Sequence, residues 1–154
     1  MPKKDNMQYV EVDNSQIPLE LLMEADPYEV NITAYLFDSW CFAALHNGNV
    51  VGACIVQPQT NCIAEILNVS VYPRLKGQGI GSELLKAVLS HLSRKGVTRV
   101  ELGTGTFGYQ LTYYQRLGFR VDSVVKDYFL LNYPNPIYEN DIQHKDMLKL
   151  YIQL

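Results

Sequence analysis

Two glycine-rich stretches of this sequence have the spacing of phosphate-binding turns. The first, YPRLKGQGIGSELL, begins at Tyr72, and the second, VELGTGTFGY, begins at Val100. The second contains GTGTFG, which matches the dinucleotide-binding pattern G-x-G-x-x-G, whereas the first has Ser82 where that pattern ends in glycine. At the start of a helix, backbone N–H groups that no side chain covers can bind phosphate. The function therefore depends on which of the two turns binds a phosphate.

The order of the predicted elements argues against a dinucleotide fold at the second turn. Such a fold places its fingerprint after the first strand and continues with two βαβαβ halves. Here GTGTFG is followed by one short βαβ segment, and Asp122 lies near the start of its strand, the wrong end for a ribose ligand. No GxxxxGK[ST] segment occurs either. We therefore expect a phosphate or pyrophosphate at residues 76–82, where the alternative is a tight strand-to-helix turn and nothing more.

The hydrophobic pattern predicts a mixed α+β domain. Strands are predicted at residues 8–12, on both sides of an Asn47-Gly48 hairpin turn, and at 62–71, 98–103, 119–125 and 145–154. Helices are predicted at residues 17–25, 28–37, 82–96 and 108–118. Antiparallel strands come first and a βαβαβ stretch follows, which predicts a mixed sheet rather than a doubly wound parallel one. The 154 residues contain no linker or repeat and predict one domain, residues 1–154.

Composition and charge exclude several classes of function. A net charge of −3 without a Lys/Arg cluster argues against nucleic acid and membrane surfaces as partners. The chain has no apolar run of the roughly 18 residues that span a bilayer, and its start lacks an apolar signal segment, so we expect a soluble, cytoplasmic protein. The cysteines form no CxxC pair and are expected to be buried free thiols: Cys41, Cys54 and Cys62. The histidines fall in separate elements and are expected at the surface rather than on a metal: His46, His91 and His144.

The segment AEILNVSVYPRLKGQGIGSELL, residues 64–85, resembles the core motif of the GNAT superfamily of N-acetyltransferases. That motif is V-x-P-x-x-[QR]-G-x-G-x-[GA], and the matching residues are Val71, Pro73, Gly77, Gly79 and Gly81. Lys76 stands where Gln or Arg is usual, which keeps a positive charge but loses the planar guanidinium or amide. A second family motif, Y-x-x-x-G-F, is matched from Tyr114 to Phe119. The resemblance covers about residues 40–125, and the tail is similar to that of small bacterial members with no assigned substrate.

The resemblance implies that acetyl-CoA is the cosubstrate and that no metal is needed. In the family, backbone amides of the glycine turn hold the pyrophosphate, and the pantetheine arm pairs with the preceding strand. The donor-binding residues implied here are Val69, Val71, Lys76, Gly77, Gln78, Gly79, Ile80, Gly81 and Ser82. Arg74 adds positive charge at the rim. Many members also contact the donor arm through an Asn that this chain lacks between residues 103 and 114, so Thr106 or Gln110 is the expected substitute.

The family fold is a mixed, mostly antiparallel central sheet with helices on both faces and a splayed central strand pair. The resemblance places the thioester in the gap between the splayed strands, here 62–71 and 98–103. A backbone N–H near Val69 would stabilise the oxyanion. In this arrangement the GTGTFG turn opens the following helix beside pantetheine and holds no nucleotide.

Transfer of an acetyl group from a thioester to an amine requires a base and an acid. An amine with a pKa near 10.4 is neutral in about one of a few thousand molecules at pH 7, so a group must accept its proton. Glu65 is the expected base. By plain alternation it shares a strand face with Leu67 and Val69, where a carboxylate is unusual unless it lines a cleft or a bulge turns it. Desolvation in such a place would raise its pKa.

The resemblance supports these roles. A glutamate on this strand is the base in the histone-acetyltransferase branch, and Tyr114 occupies the family's tyrosine position, from which it would protonate the CoA thiolate. The alternatives are an ion-paired or surface Glu65 and a Tyr114 that only packs in the core, and Tyr113 is the neighbour most easily confused with it.

The acceptor is the least determined part of the prediction. Aromatic and acidic side chains occur together near the N-terminal helices and in the tail, a mixture that suits a cationic amine. These residues are Asp26, Tyr28, Glu29, Tyr128, Phe129, Tyr133, Tyr138, Glu139 and Asp141. Solvated acids over an aromatic core would give the same pattern. A small amine, an aminoglycoside-like compound, a peptide N-terminus and a protein lysine all stay open, as does a homodimer formed through the tail. The alternative function is a non-catalytic sensor of CoA or acyl-CoA.

Overall fold

The computed structural model describes residues 6–154. The prediction of a polar start without a signal segment concerns residues 1–5 in part, and these lie outside the described residues. The chain divides into two compact units, one reaching to Thr98 and including Leu154, the other Arg99–Gln153. The strands are β1 (Met7–Val12), β2 (Trp40–His46), β3 (Asn49–Pro58), β4 (Ile63–Val71), β5 (Arg99–Gly105), β6 (Arg120–Val125), β7 (Tyr138–Glu139), β8 (Ile142–Gln143) and β9 (Met147–Gln153). The helices are α1 (Leu19–Leu22), α2 (Glu29–Leu36), α3 (Ile80–Arg94), α4 (Tyr109–Arg116) and α5 (Tyr128–Asn132).

The first unit is built on four antiparallel strands in the order β1, β2, β3, β4. Asn47 and Gly48 form the predicted hairpin turn between β2 and β3, and both have positive φ angles, 51° and 81°. One sheet face packs against α1 and α2 through a core that includes Leu22, Ile32 and Ile55. The opposite face, which carries Phe42, contacts His91 of α3 with ring centroids 5.4 Å apart. Helices thus cover both faces of this sheet, as predicted.

Helix α3 has the amphipathic pattern that the sequence predicted. Its buried side chains are Ile80, Leu84, Leu85, Val88 and Leu92. The helix ends where Gly96 takes a φ of 89° and the Val97 N–H donates to the Leu92 carbonyl, a common glycine C-cap. The helix therefore buries one apolar face from its first turn to its last.

The second unit contains β5, β9 and β6 in that order, with antiparallel pairing throughout. Helix α4 connects β5 to β6, and the tail forms α5 and the short β7–β8 hairpin before it returns as β9. The hairpin turn is Asn140-Asp141, with φ angles of 53° and 61°. Neither α5 nor this hairpin was predicted, because each is shorter than the window over which hydrophobic periodicity is visible.

The predicted α+β class with mostly antiparallel strand pairing is confirmed. Two finer predictions are wrong. The first helix is only Leu19–Leu22 rather than residues 17–25, and Cys62 is exposed because it lies in the β3–β4 turn. Cys41 and Cys54 are buried free thiols, and burial raises the pKa of Cys41 to about 11. Across residues 6–154, no helix has the length and apolar character needed to cross a bilayer.

Candidate active site

The turn between β4 and α3 exposes backbone rather than side chains. Gly77 and Gly79 have φ angles of 80° and 81°, a conformation that side chains with a Cβ rarely adopt. A Cβ built at either position meets nothing within 4 Å, so open space surrounds both residues. Gly79 is the N-cap of α3, a helix of 15 residues. The first N–H groups of a helix have no partner within it and sit at its positive end, so this turn presents donors suited to a phosphate.

The side chains of the turn leave that backbone accessible. Lys76 is exposed, and the Arg74 guanidinium lies 5.6 Å from the centre of the Tyr72 ring. Ile80 is 5% exposed and anchors the first turn of α3 in the core. Gln78, Gly81 and Ser82 are half-buried beside it. The residues predicted to bind the donor phosphates therefore form one continuous segment with positive charge at its rim.

A β-bulge in β4 changes the face on which Glu65 lies. Ile55 pairs with Asn68 and Val56 pairs with Ile66, so Leu67 has no partner on β3. Paired residues of an antiparallel ladder share a face, and Gln57 pairs with Glu65. Glu65 consequently lies on the face of Asn68 and Ile55.

The expectation of plain alternation, with Glu65 on the face of Leu67, Val69 and Val71, is thus wrong. Of the two explanations left open for a carboxylate there, a cleft or a bulge, the strand pairing shows the bulge. Glu65 is half-buried, and its Oε1 accepts a hydrogen bond from Gln59 Nε2 at 3.3 Å. Val69 and Val71 remain together on the opposite face, where they pair with Cys54 and Gly52.

Two buried polar residues on the Glu65 face of β4 were not among the predicted site residues. Asn68 and Ser70 are each 3% exposed, and the Ser70 hydroxyl donates to Asn68 Oδ1. Asn68 Nδ2 donates to the Leu22 carbonyl at 2.9 Å and to Tyr35 Oη at 3.2 Å. These bonds tie β4 to the end of α1 and to α2 and hold the strand beside its bulge. Two polar residues at alternate positions of an apolar strand were the available signal.

Tyr114 lies on α4 at the position that the Y-x-x-x-G-F motif predicts. It is half-buried, its ring is 5.3 Å from that of Tyr113, and it meets the Phe119 ring edge-on at 6.0 Å. Its carbonyl accepts a hydrogen bond from the Phe119 N–H at 3.1 Å. Phe119 is 2% exposed, so the last residue of the motif buries itself under the helix and fixes the orientation of Tyr114.

The GTGTFG turn, whose first three residues end β5, is packed against side chains of the tail. A Cβ at Gly103 would lie 2.8 Å from Met147 Cε, and one at Gly105 would lie 2.6 Å from His144 Nδ1. Gly108 has a φ of 106°, and its Cβ would lie 2.6 Å from Glu139 Oε2. Each glycine thus provides room for a neighbouring side chain. The predicted substitutes for the donor-contacting Asn are both exposed: Thr106 lies within this turn and Gln110 in the first turn of α4.

His144 is buried, so its predicted surface location is wrong. It is 7% exposed, and its Nε2 lies 2.9 Å from Glu139 Oε1. The ring stacks on Phe107 with centroids 4.2 Å apart and planes within 8°. His144 and Gly105 are about forty residues apart in the chain, so no local pattern in the sequence connects them. In the part of the chain that the structure describes, no group of three or more His, Cys, Asp or Glu side chains could hold a metal ion.

Comparisons with known proteins agree with this architecture. Residues 9–119 match the acetyltransferase (GNAT) family. An uncharacterised N-acetyltransferase of Bacillus subtilis, YvbK, is 34% identical over 139 residues, 88% of each chain. The structure of an IAA acetyltransferase from Bacillus cereus superimposes with a TM-score of 0.91 at 34% identity, covering 96% of this chain and 99% of that one.

A GNAT family acetyltransferase from Elizabethkingia anophelis, whose crystal structure contains acetyl-CoA, has a TM-score of 0.92 at 35% identity and covers 98% of this chain and 100% of its own. The match to the family extends over both the glycine turn of α3 and the Tyr114 motif of α4. The chain therefore belongs to the acetyltransferase (GNAT) family and is an acetyltransferase.

Proposed function

We propose that this protein transfers the acetyl group of acetyl-CoA to a primary amine. The observation that carries the proposal is the open turn at Gly77–Ser82, where two left-handed glycines and the start of the longest helix leave backbone donors free of side chains. A pyrophosphate is the ligand that such a turn suits best, because it accepts several N–H bonds and carries the charge that a helix N-terminus stabilises. The relative that contains acetyl-CoA supports the same cosubstrate for this chain.

Each part of acetyl-CoA is assigned a set of binding residues in this proposal. Backbone N–H groups from Gly77 to Ser82 bind the pyrophosphate, and Lys76 and Arg74 add positive charge from the rim. The backbone of β4 at Val69 and Val71 pairs with the pantetheine amides. Thr106 or Gln110 contacts the same arm.

The chemistry then needs a base for the amine and an acid for the thiolate. Glu65 accepts a proton from the ammonium group, and the neutral nitrogen attacks the thioester carbonyl carbon. The nitrogen of the tetrahedral intermediate then loses its second proton to solvent. When the C–S bond breaks, Tyr114 donates its phenolic proton to the CoA thiolate and later regains one from solvent. The bulge supports the role of Glu65, since it moves this carboxylate to the face that carries buried polar groups.

The acceptor is a cationic amine in this proposal. Acidic and aromatic side chains of the N-terminal helices and the tail suit its charge. Asp26 contributes least to this, because it is 8% exposed and accepts a hydrogen bond from the Tyr28 N–H at 3.1 Å. A homodimer, a cytoplasmic location and the absence of nucleic-acid and membrane partners stay predictions from the sequence.

Calorimetric titration with acetyl-CoA, CoA and NADH tests the donor. We expect micromolar binding of acetyl-CoA and CoA and none of NADH. Release of free CoA thiol is then measured with a small alkylamine, an aminoglycoside and a peptide that has a free N-terminus and a lysine. Acetylation of one class supports the proposal. Binding of acetyl-CoA without transfer to any amine favours the sensor, and binding of NADH instead contradicts the phosphate assignment.

A further inference from the structure

Helix α4, which carries Tyr114, depends on contacts outside itself for its position. It has eight residues, too few for a helix to be stable in water on its own. Its C-terminal end is held by the hydrogen bond from the Phe119 N–H to the Tyr114 carbonyl. Its N-terminal end begins at Gly108, which has no side chain that could cap the first turn. Another part of the chain must therefore hold this end.

The carboxylate of Glu139 lies directly on the N-terminal end of α4. A Cβ built on Gly108 would be 2.6 Å from Glu139 Oε2 and 2.9 Å from Oε1, so the carboxylate occupies the space that a side chain at residue 108 would need. The φ of 106° at Gly108 disfavours other residues as well. The first N–H groups of a helix lack acceptors within it and form its positive end, which a carboxylate stabilises. Both the charge and the position of Glu139 therefore suit the start of α4.

His144 holds this carboxylate in place. Its Nε2 lies 2.9 Å from Glu139 Oε1, and an ionised carboxylate only accepts hydrogen bonds, so Nε2 carries the proton and donates it. The imidazole is 7% exposed, stacks on Phe107 with centroids 4.2 Å apart, and fills the space left by Gly105. Phe107 directly precedes Gly108 in the chain. The imidazole, the carboxylate and the start of α4 thus form one continuous set of contacts.

We propose that Glu139, oriented by His144, is a positioning residue for Tyr114; this inference rests on the proposed function. The carboxylate fixes the N-terminal end of α4 and Phe119 fixes the other end, so the Tyr114 phenol is held where it donates its proton to the CoA thiolate. All of these residues belong to the second unit, Arg99–Gln153. The other role open to Glu139 is contact with the acceptor. Such a contact acts on KM for the amine, whereas a positioning residue acts on kcat.

Steady-state kinetics of Glu139→Ala test the proposal. We expect kcat to fall about 10-fold, since a shift of about 1 Å in a catalytic group has effects of at least this order. KM for the amine and affinity for acetyl-CoA should stay within about twofold of wild type, which also shows that the protein is folded. Glu139→Gln keeps an acceptor for His144 Nε2 and should restore kcat to within about threefold, the remainder being the lost charge at the helix end. Ile142→Ala, at the paired position of the β7–β8 hairpin and 55% exposed, is the control and should match wild type.

A double variant shows whether Glu139 acts through Tyr114. Tyr114→Phe leaves no phenolic proton to position, so the addition of Glu139→Ala should lower kcat no further. Losses that multiply would mean that the two residues act independently, and they would overturn the proposal. A normal kcat in Glu139→Ala, or a change confined to KM for the amine, overturns it too.

A second measurement does not depend on turnover. With fluorotyrosine incorporated at residue 114 alone, Glu139→Ala should shift or broaden the fluorine resonance and Ile142→Ala should not. An unchanged resonance in Glu139→Ala overturns the proposal. If wild type acetylates no amine, the proposed function fails and the catalytic role of Glu139 falls with it. If wild type is active and Glu139→Ala has the same kcat, this role alone fails.

Discussion

The two glycine turns of this protein have similar sequences and opposite surroundings. At Gly77 and Gly79 the backbone is left-handed and a Cβ would meet open space. At Gly103 and Gly105 the φ angles need no glycine, but side chains of the tail occupy the place of the missing Cβ. The first turn therefore requires glycine for its conformation and presents bare backbone outward. In the second, Gly103 and Gly105 are required for room, Gly108 for its φ of 106° as well, and the space is filled by the chain itself.

This difference shows why a glycine pattern alone does not identify a phosphate site. GTGTFG matches the dinucleotide fingerprint letter for letter, yet Met147, His144 and Glu139 sit on its glycines. The 76–82 turn departs from the fingerprint at Ser82, yet it has the open backbone and the helix start that an anion needs. Access to the backbone, rather than the spacing of glycines, separates the two turns.

A large side chain in the open turn, residues 76–82, should have the largest effect of the substitutions considered. Gly79→Trp should weaken acetyl-CoA binding roughly 1000-fold, because it blocks at least two charge-assisted bonds that contribute about 2 kcal/mol each. Gly48→Trp is the matched control, since Gly48 has the same φ of 81° and the same open space at Cβ. Calorimetric titration measures both affinities. Equal losses in the two variants would mean that backbone strain, and not a blocked phosphate, explains the effect.

Substitution of the two proposed proton-transfer residues should affect turnover rather than donor binding. Glu65→Gln and Tyr114→Phe should each lower kcat about 100-fold, because each removes a group that transfers a proton. A base acts only when deprotonated, so the wild-type rate falls as pH drops through its pKa, and Glu65→Gln should flatten that acidic limb. Steady-state kinetics against pH measure this, with Tyr113→Phe as the control for Tyr114. An unchanged Glu65→Gln profile would remove Glu65 from the mechanism.

A larger side chain in the GTGTFG turn should lower the free energy of unfolding. Gly105→Ala places a methyl group against the His144 ring, and the rigid imidazole cannot yield as a flexible chain end would, so we expect a loss of about 1–3 kcal/mol in the free energy of unfolding. Gly77→Ala meets no atom and should lose only about 1 kcal/mol through its left-handed backbone. Urea denaturation compares the two. A greater loss for Gly77→Ala would reverse the assignment of which turn is packed.

The smallest expected effect is that of the lysine at the rim of the open turn. Lys76→Ala should weaken acetyl-CoA binding about threefold to tenfold, because an exposed ammonium contributes one screened charge to the phosphates. The difference from wild type should shrink between low and high salt. Lys145→Ala, in the tail, serves as the control. A difference that does not depend on salt would show that Lys76 acts through something other than its charge.

The Glu65 position shows how far sequence reasoning could go on β4. The strand that contains Glu65 could be predicted from the apolar run around it. A bulge was one of the two explanations for a carboxylate in that run. The identity of the bulged residue, Leu67, depends on the pairing of β4 with β3, a choice between strands that adjacent residues do not encode. The network of Asn68 with Leu22 and Tyr35 likewise joins residues 33 to 46 positions apart.

Features that depend on near neighbours in the chain could be predicted from the sequence. The Asn47-Gly48 hairpin, the stripe of α3, its end at Gly96 and the glycine turn before it all follow from backbone preferences within a few residues. The return of the tail to the GTGTFG turn, and the burial of His144 beside Glu139, became visible with the three-dimensional fold. The physical reason is that a missing Cβ offers either an exposed backbone or a space for packing, and which one results depends on residues far away in the chain.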